Sequence, residues 1–158
     1  MTIFCIDQAT NSGYTILQDG TLADFGEFSI KIKPKENPGI KWLAFENWVS
    51  VMHERYKFDL VIYERVSGMH KNSIIHSAKL VGILEKLSLE LCYGVECYSA
   101  KAIKKRFTGN GNAKKYDMVA KAQEYYDMPD LKSFDIADAL GIAFCAVEDY
   151  ESHTKTEL

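Results

Sequence analysis

The stretch TIFCIDQATNSGYTILQDGTLADFGEFSI, residues 2–30, decides the fold. Thr2 to Asp7 is β-branched, aromatic or apolar until its closing aspartate, the pattern of a buried strand. Gly13 to Gln18 is a second such run, Asp19-Gly20 is a two-residue hairpin signal, and Thr21 to Ile30 reads as a third strand. The chain thus opens with a strand meander, and its first strand ends on a carboxylate.

Beyond the meander the period changes. A basic stretch, Lys31, Lys33 and Lys35, leads to Pro38, a residue suited to a helix's first turn. Trp42, Phe45, Trp48, Val49 and Met52 recur at helical spacing and predict a helix over 39–56. Asp59 to Glu64 (DLVIYE) reads as a buried strand, Ser73 to Leu91 as a helix, and Val95 to Tyr98 as another strand. Ser99 can cap a short basic helix ending near Phe107, and Thr108 to Asn112 (TGNGN) reads as a flexible loop. Ala113 to Tyr126 and Ser133 to about Glu148 complete the helices. Crossover helices after a hairpin require parallel neighbours for the later strands. The fold class is therefore α/β, a mixed sheet covered by helices.

The composition fits one folded domain. The 158 residues are 47% hydrophobic and 26% charged, which excludes a disordered chain. No apolar run approaches the roughly 18 residues of a membrane span. The apolar run at the N-terminus, Ile3 to Ile6, is too short for a signal peptide, so a cytoplasmic location is expected. Cys5, Cys92, Cys97 and Cys145 lack the paired spacing of a zinc site or a disulfide framework. The net charge of −3 hides an uneven distribution: −3 over residues 1–64, +7 over 65–116 and −7 over 117–158. Such a segregation sets a cationic surface beside an anionic one.

The placement of the acids gives that asymmetry a meaning. Asp7 and Glu64 each end an apolar strand, at the C-terminal edge where open α/β sheets bind ligands. Asp135 and Asp138 are three apart on one helix and share a face, while Ile136, Leu140, Phe144 and Val147 give that helix a docking stripe. Four converging carboxylates repel one another unless a cation joins them. Hard divalent ions such as Mg²⁺ or Mn²⁺ prefer oxygen ligands, and two such ions can clamp both oxygens of a phosphodiester displacement. A cationic segment would hold the polymer.

These residues resemble the RuvC family of bacterial and phage junction resolvases, within the ribonuclease H-like superfamily. The resemblance spans about residues 2–148. It rests on Asp7 with Ser12-Gly13-Tyr14 behind it, VIYERV around Glu64, VECYSAKAIKK at 95–105, TGNGNAKK at 108–115 and DIADALGIA at 135–143. The pattern of Gly109, Gly111, Ala113 and Lys115, followed by Asp-x-x-Asp-Ala-Leu, is its most specific part. The resemblance implies a ribonuclease H-like fold with a mixed five-stranded sheet over residues 1–150, followed by a tail at 151–158. It also implies a Holliday junction resolvase with two Mg²⁺ or Mn²⁺ ions per site, leaving 5′-phosphate and 3′-hydroxyl ends.

Under that reading Asp7, Glu64, Asp135 and Asp138 are the metal ligands and Lys115 lies near the scissile phosphate. Lys101, Lys104, Lys105, Arg106 and Lys114 would follow the DNA backbone. Two departures stand out. Gln8-Ala9 replaces the Pro-Gly that follows the first aspartate in most cellular members, and no aromatic residue follows Glu64 closely enough to wedge a junction. Met69 is the apolar substitute in that loop, with His70 and Lys71 as further DNA contacts. A partnership with a branch-migration motor is not carried over. The open alternatives are a ribonuclease H-like nuclease acting on flaps or RNA–DNA hybrids, and a non-cleaving junction-binding module. A two-fold homodimer is expected, because opposed nicks need two sites. The apolar girth of 73–91 (Ile74, Ile75, Leu80, Val81, Ile83, Leu84 and Leu87) marks a candidate interface.

Overall fold

A computed structural model describes residues 1–154, with side chains described as far as Tyr150. The elements are β1 (Thr2–Asp7), β2 (Asn11–Gln18), β3 (Thr21–Ser29), α1 (Gly39–Tyr56), β4 (Leu60–Glu64), α2 (Lys71–Leu91), β5 (Gly94–Tyr98), α3 (Ala100–Thr108), α4 (Lys115–Tyr125) and α5 (Phe134–Thr154). The five strands lie in the order β3-β2-β1-β4-β5. β1 pairs antiparallel with β2 and parallel with β4, as the hairpin and the crossover helix require. Asp19 and Gly20 both have positive φ, the geometry that matches a two-residue turn to strand twist.

Alternation along the central strands sorts the core into two layers. Ile3, Cys5, Leu60 and Ile62 face Ile103 and Phe107 of α3, Met118 of α4 and Leu140 of α5. Phe4, Ile6, Ile16 and Val61 face Phe45 and Val49 of α1 and Leu80 and Leu84 of α2. Each fully buried Leu, Ile or Phe among them contributes about 1.5–3 kcal/mol through removal from water. The central strands β1 and β4 are thus covered on both faces and are apolar on both sides.

The boundaries differ from expectation at a few places. β2 starts at Asn11, and α5 continues to Thr154. The expected tail therefore begins inside α5, while residues 155–158 lie outside the described residues. Thr108 closes α3, and Gly109 ends it with φ 82° and an N–H donated to the Lys105 carbonyl. The docking face of α5 is broader than the stripe read from sequence, taking in Ala139, Ile142 and Cys145 as well. Ile136, Phe144 and Val147 are only partly buried, while Ala137, Leu140, Ala143 and Ala146 are fully covered. Small residues let α5 approach the sheet closely.

That approach is closest at Gly13. A Cβ built there would lie 1.8 Å from the Asp135 carbonyl oxygen and 2.2 Å from its carbon. Backbone cannot yield to such contact as a flexible side chain can. Gly13→Ala should therefore lower stability by at least the roughly 1–3 kcal/mol of an overpacked core site, as measured by urea unfolding. An unchanged midpoint would show that α5 rests elsewhere on the sheet.

Candidate active site

The strand register assembles the acids before any helix is considered. Asp7 pairs with Gly13 across β1–β2, and Gly13 pairs with Glu27 across β2–β3. On the other side, Ile6 pairs with Tyr63, so the next step sets Asp7 beside Glu64. Paired residues share a face, and this row shares the face of Ile3, Cys5 and Ile62, on which α5 packs. Because Gly13 has no side chain, the start of α5 drops onto the row and delivers Asp135 of its first turn and Asp138 of the next to it.

Electrostatics shows how closely the four carboxylates are gathered. Asp7 is pushed up to about 8, first by burial and then by the charges of Glu64, Asp138 and Asp135, against the pull of Lys115. Glu64 rises to about 6 through burial and the Asp138 charge, opposed by Lys104. Asp138 also rises to about 6, through burial and Asp135, opposed by Lys104 and Lys115. Asp135 is raised by burial and by Glu27 and lowered by Lys115. The structure therefore brings Asp7, Glu64, Asp135, Asp138 and Lys115 into one electrostatic unit.

Negative charge exceeds positive charge in this unit, and its donors are all carboxylate oxygens. Those features fit hard divalent cations, which would relieve the repulsion. Among the described residues, no three Asp, Glu, His or Cys side chains close into a ready-made ligand cage. A cleft of about 430 Å³ opens beside Asp7 and Glu64, walled by Gln8, Thr10, Arg65, Ser67, Ser73 and His76. Gln8 braces it: its Nε2 donates to the Glu64 carbonyl at 2.6 Å and to Ser77 Oγ at 3.1 Å. The buried Gln8 amide thereby ties β1, β4 and α2 together.

The basic residues separate by role. Lys115 begins α4, exposed, with its ammonium 5.6 Å from the Phe134 ring centre. Lys101 and Lys114 are exposed. The charge of Lys104 acts on Glu64 and Asp138, lowering both against the effect of burial. Lys105 donates to the Gly109 carbonyl at 2.9 Å, closing its own helix. Arg106 turns to the far half of α5, paired with Asp149 at 2.7 Å and Glu148 at 2.9 Å and donating to the Cys145 carbonyl. The structure thus places Arg106 as a strut between α3 and α5, away from the carboxylates. Met69, His70 and Lys71 are exposed where the β4–α2 loop meets α2.

Sequence alone does not single out Gln8, Glu27 or the action of Lys104 on the acids. A glutamine after a strand-end aspartate carries no pattern, and Glu27 depends on a register that only the folded hairpin reveals.

The sequence model of a family described as crossover junction endodeoxyribonuclease RuvC matches residues 3–146. A protein of that name from Bifidobacterium adolescentis is 30% identical over 120 residues, 73% of this chain and 61% of the relative. One from Corynebacterium glutamicum is 26% identical over 141 residues, 86% of this chain and 64% of the relative. The chain thus spans less than two thirds of the length of these relatives. Among solved structures, Thermus thermophilus RuvC superposes with a TM-score of 0.77 at 19% identity, covering 99% of this chain and 98% of that one. The same protein in complex with a Holliday junction substrate gives 0.78 at 18% identity, covering 99% and 97%. These likenesses establish the ribonuclease H-like fold.

The raised carboxylates fix a direction for stability against pH. Once pH exceeds the ordinary carboxylate value near 4, the unfolded chain releases protons that folded Asp7 keeps until about 8. The folded state then binds more protons than the unfolded one, so Asp7 makes stability fall through this window. Without divalent ions, Asp7→Asn should melt higher than wild type at about pH 8.5, with the gap closing towards about pH 4. A gap of at least about 2–4 °C corresponds to 1 kcal/mol in a domain of this size. Equal melting temperatures at both pH values would contradict the crowding.

Proposed function

Because the chain belongs to the crossover junction endodeoxyribonuclease RuvC family, matched over residues 3–146, we propose that it is a structure-selective endonuclease that resolves four-way DNA junctions. The observation that carries this reading is the union of Asp7, Glu64, Asp135 and Asp138 with Lys115 at one sheet edge, each acid raised by its surroundings. Such a site is suited to phosphodiester hydrolysis, and a junction-bound relative of the same fold supports the substrate.

Asp7, Glu64, Asp135 and Asp138 would hold two Mg²⁺ or Mn²⁺ ions. When bound, such ions supply Lewis-acid activation of water and neutralise charge on the phosphate. Lys115, next to Asp7, Asp135 and Asp138, would pair with the phosphate at the cut. Lys104 balances the charge of Glu64 and Asp138. Lys101 and Lys114 extend a cationic track on the exposed surface. Met69 is 95% exposed in the loop after Glu64, an apolar side chain held out in water where it can wedge an unstacked base step. His70 and Lys71 stand next to it, within reach of phosphate.

Paired nicks require a second copy, because one chain carries a single set of the four acids. Leu80, Val81, Leu84 and Leu87 of the candidate interface helix are used within the protomer. Ile75 and Leu89 remain exposed on α2, and Leu43 and Val51 on the adjacent α1. These residues are the apolar surface offered to a two-fold partner.

Incubation with labelled four-way, forked and RNA–DNA hybrid substrates tests the reading. The four-way junction should be cut in paired nicks only with Mg²⁺ or Mn²⁺, and Asp7→Asn and Glu64→Gln should abolish cutting while sparing junction binding. Preferential cutting of hybrids, or joint loss of binding and cutting, would contradict it. For the track, Lys101→Ala with Lys114→Ala and Lys115→Ala should weaken binding and reduce the slope of log K against log salt by about 0.9 for each phosphate no longer neutralised. An unchanged slope would place DNA on another surface.

A further inference from the structure

Glu27 is the one acid of the cross-strand row that the four-carboxylate scheme leaves without a task. It sits on β3, paired with Gly13, on the same sheet face as Asp7 and Glu64. Edge strands of this kind project carboxylates into solvent without consequence in most folds. Here Glu27 Oε1 accepts a hydrogen bond from the Ser133 hydroxyl, across 106 residues of chain. Ser133 immediately precedes α5, and the same hydroxyl oxygen accepts the Ile136 amide at 3.0 Å. The Ala137 amide reaches the Ser133 carbonyl at 3.2 Å. Asp135 lies between these anchors, its carbonyl pressed on Gly13.

The rotor of Ser133 thereby acquires a fixed sense. A capping hydroxyl must aim its lone pair at the Ile136 amide, and its proton then needs an acceptor on the other side. Glu27 is that acceptor. The pairing locks the residue that starts α5, and with it the first turn that carries Asp135. It also sets a negative charge near Asp135, which together with burial raises that carboxyl.

We propose that Glu27 is a positioning residue: through the Ser133 hydroxyl it holds the first turn of α5 so that Asp135 faces the Asp7–Glu64 edge. It touches neither phosphate nor metal in this role. The proposal rests on the metal-dependent nuclease reading above. Groups that orient metal ligands through one hydrogen bond typically change metal affinity about 10–100-fold when removed.

Calorimetric titration of Mn²⁺ into the DNA-free protein tests it, alongside junction cleavage as a function of Mg²⁺ and the melting temperature of each variant. Glu27→Ala should weaken Mn²⁺ binding about 10-fold or more and shift the Mg²⁺ requirement upward, with junction binding unchanged. Glu27→Gln keeps the acceptor oxygen while losing the charge, and should restore Mn²⁺ affinity to near wild type. Ser133→Ala should weaken Mn²⁺ binding likewise, and adding Glu27→Ala to it should change little more, because the two act through one hydrogen bond. Wild-type affinity in Glu27→Ala would overturn the proposal and leave the nuclease reading standing. Equal impairment of the Gln and Ala variants would also overturn it, assigning Glu27 a charge role. A wild-type protein that neither binds Mn²⁺ nor cuts would overturn the nuclease reading, and the proposal with it.

Discussion

Everything in this structure that bears on chemistry depends on a glycine without a side chain. Gly13 stands between Asp7 and Glu27 in the sheet, and the Asp135 carbonyl occupies the space where its Cβ would be. If α5 stood further off, Asp135 and Asp138 would face solvent and the sheet would present two acids rather than four. Close approach also explains the small residues along α5, since Ala137, Ala143 and Ala146 are fully buried where larger side chains would hold the helix away. The site is therefore a packing consequence, and its geometry is as rigid as the core beneath it.

That rigidity has an electrostatic penalty that the fold accepts. Asp7 is raised furthest because burial and three other acids act on it together. Lys104 of α3 and Lys115 at the start of α4 answer only part of the charge of the site. A core of ordinary strength can carry such strain, because the two apolar layers are continuous on both sides of the sheet. Stability given up at one edge is what makes that edge receptive to cations.

Much of this was legible in the residues. Apolar runs ending in Asp7 and Glu64, the Asp19-Gly20 turn and the three-residue spacing of Asp135 and Asp138 are each read directly from the sequence, and together they point to a mixed sheet and to four acids that the structure gathers at one edge, while the full strand order comes from the structure. Glu27 was not legible, and the reason is specific. Counting back from the Asp19-Gly20 turn pairs Gly13 with Gly26 and turns Glu27 to the opposite face. A register shift between Ile16 and Leu17 pairs Leu17 with Leu22 but Ile16 with Asp24, which moves Glu27 opposite Gly13. The ion pairs of Arg106 with Glu148 and Asp149 were not legible for a different reason. The neighbours of Arg106 in the basic run face other directions, because consecutive helical positions lie about 100° apart, and its partners on α5 are some 40 residues away.

Anomalous diffraction from crystals soaked in Mn²⁺ tests the four-carboxylate site most directly. A peak is expected within about 2.0–2.3 Å of carboxylate oxygens of Asp7 and at least one of Glu64, Asp135 and Asp138, in line with the distances hard divalent ions adopt with oxygen ligands. The peak should vanish in Asp7→Asn crystals of the same form. Mn²⁺ bound elsewhere on the chain, with no density at Asp7, would contradict the site.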